Sequence, residues 1–566
     1  MKNSILKATL VVGILMSSLV ACNEDFLDRP PLGAISETAI ANKAGVEGSL
    51  IVAYRSLTGS NIANWYTSPM NWVWGGVRSD DAYKGTEASD QGTEINPVER
   101  FEVQPNSPSV NNKWRACYDG IGMANIVLRQ LAAAKDISTE DQKRITAETR
   151  FIRGFHHFEA SRCFNKVPFV DEKALSTADY KAFKNDASIW PQIEADLKFA
   201  YDNLSGTQAQ KGRVNKWAAG AFLAKALITQ GKYADAKTIF DACIASGTTS
   251  SGEKYGLISE YKNVFRGEAE NSKEIVFSVQ YTVGDGTGGA NSNKDAELTN
   301  PHNDGPVGCC GFYQPAQSLV NAFKTKDGLP MDDYNAVDIK NHESNAADFK
   351  DNSEVDPRLD YTVGRVGIPY KDYGSAKASW IRNLANGGPW MPNKNIQWKD
   401  EVGTYFVSGG WGQGQLGKNQ IVMRYADLLL MAAECEVEAG SLEKAREYVN
   451  LVRDRAAKST FVKNGALDAA NYKINTYTAA WTDKNVAREA VRRERYIELG
   501  MEGLRFFDLV RWGVADVVRN AFIAKEGKIR TSLAGSKFVK GKDEYLPIPE
   551  NVISQSGGNL KQNSGY

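Results

Sequence analysis

Histidine is scarce, with four in 566 residues. So little imidazole argues against a His-rich metal centre and against His-based catalysis. Neither sign of charge is in excess, since 68 Lys and Arg face 68 Asp and Glu. A chain that binds nucleic acid normally carries a basic surplus, so no nucleic-acid partner is expected. Beyond the first 21 residues, no stretch of about 18 apolar residues runs without a charge, so no membrane-crossing helix is expected in the body. The patterns G-x-S-x-G, H-E-x-x-H, C-x-x-C and the P-loop are missing. Gly284–Gly289 fits G-x-G-x-x-G, but the residues after it, from Ala290 to Asp295, show no apolar helical face. It reads as a loop and not as a dinucleotide site. His156 and Glu159 stand at i, i+3 on a predicted helix, with no third ligand indicated, and read as packing or surface residues. No catalytic residue, cofactor or metal is therefore expected.

What is present is an ordinary folded body behind a leader. Hydrophobic residues make up 42% and charged residues 24%, values that exclude wholesale disorder. Residues 1–21 carry Lys2 and Lys7, then an apolar run from Ala8 to Val20. That is the layout of a secretory signal. Leu19-Val20-Ala21-Cys22 resembles a bacterial lipobox, in which Cys22 is lipidated and becomes the new N-terminus. Each buried CH₂ of an acyl chain contributes roughly 0.8 kcal/mol, so a multiply acylated cysteine is a stable tether. Seven cysteines leave six after Cys22. Cys117, Cys163, Cys243 and Cys435 fall at apolar positions of helical patterns, where a free cysteine behaves as a small hydrophobe. Cys309-Cys310 differs, because it stands between Gly308 and Gly311 in a loop.

Helical periodicity appears at about 36–58, 110–134, 139–163, 187–204, 214–229 and 232–246, and again at about 421–438, 441–457 and 484–500. In the first, Val46, Leu50, Tyr54 and Leu57 share one face. Between 250 and 420 the chain is rich in Gly, Asn, Asp and aromatics, with short strand-like runs such as Ile275–Tyr281. Two helix pairs resemble each other. Leu223, Ala224 and Leu227 precede a turn at Gly231, then Ala236, Phe240 and Cys243 follow. Ala432 and Ala433 precede Gly440, then Ala445, Val449 and Val452 follow. Small residues let antiparallel helices approach closely, which is the tetratricopeptide pattern. The predicted fold is mainly α: a tetratricopeptide-like helical-repeat frame at 36–249 and 421–566, with a loop-rich, partly β insertion at 250–420.

Five segments in order resemble the SusD/RagB family of Bacteroidota outer-membrane lipoproteins. They are Cys22–Pro31, Arg424–Glu434, Arg492–Gly500 with Glu502–Trp512, Tyr545–Pro549 and Gln562–Tyr566. The resemblance implies one SusD-like domain over 22–566 and a glycan-binding surface. It also implies docking as a lid on a SusC-like TonB-dependent outer-membrane transporter, at the cell exterior. The charged residues of the most specific block read as structural. Arg492, Arg493, Glu494, Arg495, Glu498, Glu502, Arg505, Asp508 and Arg511 are expected to form a buried ion-pair and capping network. Phe506, Phe507 and Trp512 are expected in the core.

A sugar offers flat C–H faces to aromatic rings and hydroxyls to Asp, Asn and Arg. Asn64-Trp65-Tyr66 and the run Trp72, Trp74, Asp80, Asp81 combine both kinds of group near glycines. If 72–74 is extended, Trp72 and Trp74 point the same way. The second wall is expected from Trp380, Arg382 and Trp390, with Trp398, Tyr405 and Trp411 in the same Gly-rich region, and from Cys309-Cys310. Any one of these tryptophans is either a ligand platform or a core anchor. The cysteine pair is either a vicinal disulfide, a compact apolar ring able to lie against a sugar, or two thiols. The reading is a surface lipoprotein that captures oligosaccharides for a transporter. Capture of peptides, and cleavage of glycans by paired carboxylates, stand as alternatives.

Overall fold

The structure is a computed structural model, described over residues 40–59, 67, 69–339, 351–409 and 414–566. The leader, Cys22, Asn64-Trp65-Tyr66 and Trp411 lie outside the described residues.

Helices form where one apolar face repeats and a polar side chain starts the turn. Helix α1 (Lys43–Ser56) begins at Asn42, whose side chain accepts from the Gly45 N–H, and it buries Val46, Leu50 and Ala53. Helices α2 (Pro108–Ala133), α3 (Thr139–Phe164), α4 (Trp190–Asn203), α5 (Lys216–Thr229) and α6 (Tyr233–Ser246) follow, each packed on the one before it. Helix α7 (Tyr425–Ala439) packs on α6, far away in sequence, and then on α8 (Leu442–Lys458) and α9 (Lys484–Leu499). Two shorter helices, α10 (Arg505–Arg511) and α11 (Ala515–Glu526), complete the C-terminal part. The frame is the mainly α stack of neighbouring helices that the repeats predict.

The repeat residues sit at the helix crossings. Ala224, Ala236, Phe240, Ala433, Ala445 and Val449 are all fully buried. Gly231 has φ +74°, a left-handed turn that a side chain would strain, and it reverses the chain between α5 and α6. Cys117, Cys163, Cys243 and Cys435 are buried free thiols.

Strand β1 is Ala82–Gly85, β2 is Ile275–Val279, β3 is Phe312–Pro315 and β4 is Gln420–Arg424. β4 occupies the start of the predicted 421–438 helix, so α7 begins only at Tyr425. β2 and β4 pair antiparallel, with Val279 opposite Gln420 and Ile275 opposite Arg424. This ribbon brings the two ends of 280–419 together beside the frame, with Phe277 packed on Phe151 and Phe222. β1 pairs antiparallel with β3, Tyr83 opposite Gln314. That pairing fixes the early loop to the middle of the chain. Gly284–Gly289 is a loop followed by a five-residue helix, Lys294–Leu298.

The C-terminal block is a buried ion network. Glu498 binds Arg358 at 2.7 Å, Arg424 at 2.6 Å and also Arg455. Glu494 joins Arg358 to Arg453, and Glu502 joins Arg424 to Lys394. Arg495 spans Asp427 and Asp508, and Arg511 reaches Glu434 at 2.5 Å. Burial would raise the Asp508 pKa, but Arg495 and Arg511 outweigh it and hold the carboxyl at about 2. Phe506 is in the core as expected, whereas Phe507 and Trp512 are only half-buried. Arg492 and Arg493 stand apart from the buried network, over Trp512 and Tyr334 respectively. The His156 Nε2 is hydrogen-bonded to the Ser56 hydroxyl at 2.8 Å, and Glu159 binds Lys113 and Arg162, so this pair packs helices.

Candidate functional site: a loop around a vicinal disulfide

Cys309 and Cys310 are joined as a vicinal disulfide. Gly308 (φ +82°) and Gly311 (φ +78°) supply the left-handed turns on either side. The loop is clamped to its surroundings by backbone bonds. Thr86 N–H donates to Gly311 O at 2.6 Å, and Gly311 N–H donates to Asn300 O at 2.8 Å. Cys310 is buried in the core while Cys309 is half-exposed. The pair therefore presents one apolar edge outward on a rigid base.

Polar groups ring this edge. Arg382, with 23% of its side chain exposed, donates to Thr86 Oγ1 at 2.8 Å and to Asp90 at 2.6 Å, and lies 3.3 Å from Glu87. His302 bonds Asn303 at 2.7 Å, and its own N–H donates to Trp380 O. Asp304 holds Lys377 at 2.8 Å and the Ser379 hydroxyl at 2.7 Å. Arg382 and His302 both approach Gly311 closely. The result is an apolar edge bordered by donors and acceptors, a surface suited to a hydroxylated ligand. Apart from Arg382 and the cysteines, these rim residues were not singled out from the sequence. Their signal was proximity to Gly308-Cys-Cys-Gly311 and to the end of β1.

The tryptophans expected to form the platform lie elsewhere. Trp72–Val77 forms one six-residue π-helical turn and is not extended. Trp72 and Trp74 are 0% exposed, and Trp72 packs on Phe312 and Tyr313 at 5.9 and 5.7 Å. Trp380 (4% exposed) packs edge-on to Tyr370 in a small core of its own. Trp390 (2% exposed) donates to Gln317. All four are core anchors, with their rings closed off from the surface. Trp398 is half-exposed between Arg266 and Lys371, and Tyr405 is half-exposed beside Gly267.

Asp80 and Asp81 are also interior. Asp80 forms two bonds to Arg505, at 2.9 and 3.1 Å. Asp81 accepts from the Met501 N–H at 2.9 Å and from the Tyr313 hydroxyl at 3.3 Å. Both tie the early loop to the C-terminal block and are spent on interior contacts. Burial pushes the Asp81 pKa up to about 7, and burial does the same for Glu270. Between roughly pH 4 and 7 the unfolded chain has released these protons while the folded chain keeps them. Stability from both groups is thus full at low pH and is lost as pH rises through about 7. Asp81→Asn keeps the acceptor for Met501 and removes the titration. Its melting temperature should fall less between pH 5 and pH 8 than that of the wild type. Parallel melting curves for the two proteins would refute this.

A second recess, of about 370 Å³, lies between the end of α1 and residues 277–292, lined by Ile51, Tyr54, Arg55, Tyr281 and Asn291. It contains none of the expected site residues. Among the described residues, no group of His, Cys, Asp or Glu is arranged to hold a metal ion. No helix among them is long and apolar enough to cross a membrane.

A helical-repeat frame that carries a long loop-bearing segment, with its polar surface on that segment, defines a class. Residues 273–566 match the SusD family, and residues 60–228 match a family described as starch-binding and associating with the outer membrane. The chain belongs to the SusD family. SusD-like protein P25 of Formosa agariphila is 25% identical, over 90% of this chain and 91% of its own. A SusD-like protein of Bacteroides ovatus is 23% identical, over 96% and 92%. Among solved structures, a laminarin-binding SusD-like protein superposes with a TM-score of 0.65 at 22% identity, covering 93% of this chain and all of that one. Surface glycan-binding protein A of Bacteroides thetaiotaomicron, in complex with laminarihexaose, gives 0.60 at 18% identity, over 92% and 99%.

Proposed function

We propose that the protein is a cell-surface lipoprotein that binds oligosaccharides without cleaving them and hands them to a SusC-like TonB-dependent transporter. The carrying observation is SusD-family membership along the chain, joined to structural relatives named for binding laminarin and laminarihexaose. The disulfide rim is the proposed contact surface, with Cys309 against a sugar face and Arg382, His302 and Asp304 toward hydroxyls. Arg382 is already neutralised by Asp90 and Glu87, which suits an uncharged ligand. A shallow surface also suits a protein that must release its cargo.

Incubation with β-glucan, α-glucan and other oligosaccharides tests both halves of the reading. Retention of one class without new products is expected, and release of shorter sugars would establish an enzyme instead. Arg382→Ala should weaken the bound class about ten-fold, or about 1.4 kcal/mol, with little change in melting. Unaltered affinity would remove the disulfide rim from the site. Cys22→Ala should shift the protein from the membrane to the soluble fraction. Retention that only detergent reverses would sink the lipid anchor.

A further inference from the structure

The C-terminal block does more than pair its own charges: it also walls a cavity that shares no lining residue with the disulfide rim. The cavity has a volume of about 240 Å³ and lies among α3, the start of α4, α5, α7, α9 and α10. A water molecule takes roughly 30 Å³ in the liquid, so this space exceeds a single solvent site. Four cations line it, namely Arg162, Lys225, Arg495 and Arg511, against one carboxylate, Asp508. The other carboxylates that balance these cations, Glu159, Asp427 and Glu434, are not part of the lining. Asp508 itself is held by Arg495 at 2.9 Å and by Arg511 at 2.8 Å.

Three donors at the cavity have capacity left. Ser161 is 3% exposed, and its hydroxyl has no hydrogen-bond partner. The Arg162 side chain is 8% exposed, stacks on Phe507 at 3.8 Å and binds Glu159 through one Nη, while its Nε–H lacks an acceptor. Lys225 reaches Asp427 by one bond of 3.3 Å, though an ammonium carries three hydrogens. Burial lowers the Lys225 pKa; Asp427 opposes this, and nearby Arg162 and Arg495 lower it further. Buried donors without acceptors are costly, and the apolar walls around them strengthen any charge they meet. Asn165 is exposed beside the cavity, so solvent has a route in.

We propose that this cavity binds a small oxyanion, the shared chemistry of a carboxylate, a sulfate or a phosphate. Lys225, the Arg162 Nε–H and the Ser161 hydroxyl donate to it. The site is separate from the glycan surface and does not depend on that assignment. Calorimetry on the full-length protein, with acetate, sulfate and phosphate against chloride at equal ionic strength, is the test. Saturable binding of at least one oxyanion is expected. Acetate alone would identify a carboxylate, and sulfate with phosphate a tetrahedral group. Ser161→Ala removes a hydroxyl that has no partner, so it should fold normally and bind about ten-fold more weakly. Lys225→Gln should lose more. Where Lys225→Gln misfolds, Ser161→Ala decides alone. An absent oxyanion response would show that the cavity holds only solvent, and Ser161→Ala binding like the wild type would place the anion outside this donor set and overturn the proposal.

Discussion

Glu498→Ala is expected to lose about 3–5 kcal/mol of stability, because it leaves buried charges without their partner. Three arginines converge on this one carboxylate, and all four side chains are almost wholly removed from water. Burial alone would raise the Glu498 pKa, but Arg455, Arg424 and Arg358 hold it well below the carboxylate range. Alanine removes the acceptor, and the three guanidiniums then repel one another in a poorly solvated space. Glu274 still serves Arg424 and Arg455, and Asp356 and Glu494 still serve Arg358, so collapse need not be complete. A folded domain has only about 5–15 kcal/mol in total, so the loss is a large share. Chemical denaturation measures it, provided unfolding is two-state. Glu498→Gln, which keeps the shape and drops the charge, should fall between the two. A Glu498→Ala protein within about 1 kcal/mol of wild type would mean the network is replaceable.

Only the block's own share of this network was legible in sequence, in Glu494, Arg495, Glu498, Glu502, Asp508 and Arg511, because these residue types are clustered there; their partners Arg358, Arg453 and Arg455 lie far off in the chain, and Arg492 and Arg493 stay outside it. The helical frame was legible for a related reason. Ala224, Ala236, Ala433 and Ala445 recur in two similar helix pairs, at places where small residues let helices cross closely, and helical periodicity is a local property. The burial of the tryptophans was not legible, because burial of an indole depends on partners distant in the chain. Trp390 stands in the Gly-rich region, directly after Gly387-Gly388-Pro389. In the fold these two positions are glycines because other groups come close: a Cβ at Gly387 would lie 1.8 Å from Gln314, and one at Gly388 would lie 3.0 Å from Tyr83. Gly75 and Gly503 make the same kind of approach, with a Cβ on Gly75 only 1.7 Å from the Gly503 carbonyl. The same residue type thus marks a loop at Gly308 and a tight interior contact at Gly75. Nothing local in the sequence separates the two.

Trp72→Ala is the substitution that separates a core anchor from a ligand platform. The indole is fully buried against Phe312 and Tyr313, the residues that open β3 directly after the disulfide loop. Truncating a buried tryptophan removes its transfer energy and leaves a cavity, at a cost of about 3–5 kcal/mol. The surrounding chain has little freedom to close that space, since Gly75 is pressed on Gly503 and Gly76 on the Tyr313 ring. A large fall in melting temperature is therefore expected for Trp72→Ala, with β3 and the disulfide loop loosened along with it. Binding should weaken in that variant only as far as folding does. Trp72→Phe fills most of the space, so it should recover much of the stability and, with it, the affinity. Arg382→Ala should show the opposite split, with affinity reduced and melting kept. If Trp72→Ala melted like the wild type and still bound oligosaccharide ten-fold more weakly, the indole would have to reach the ligand directly, and the π-helical turn would have to open in solution.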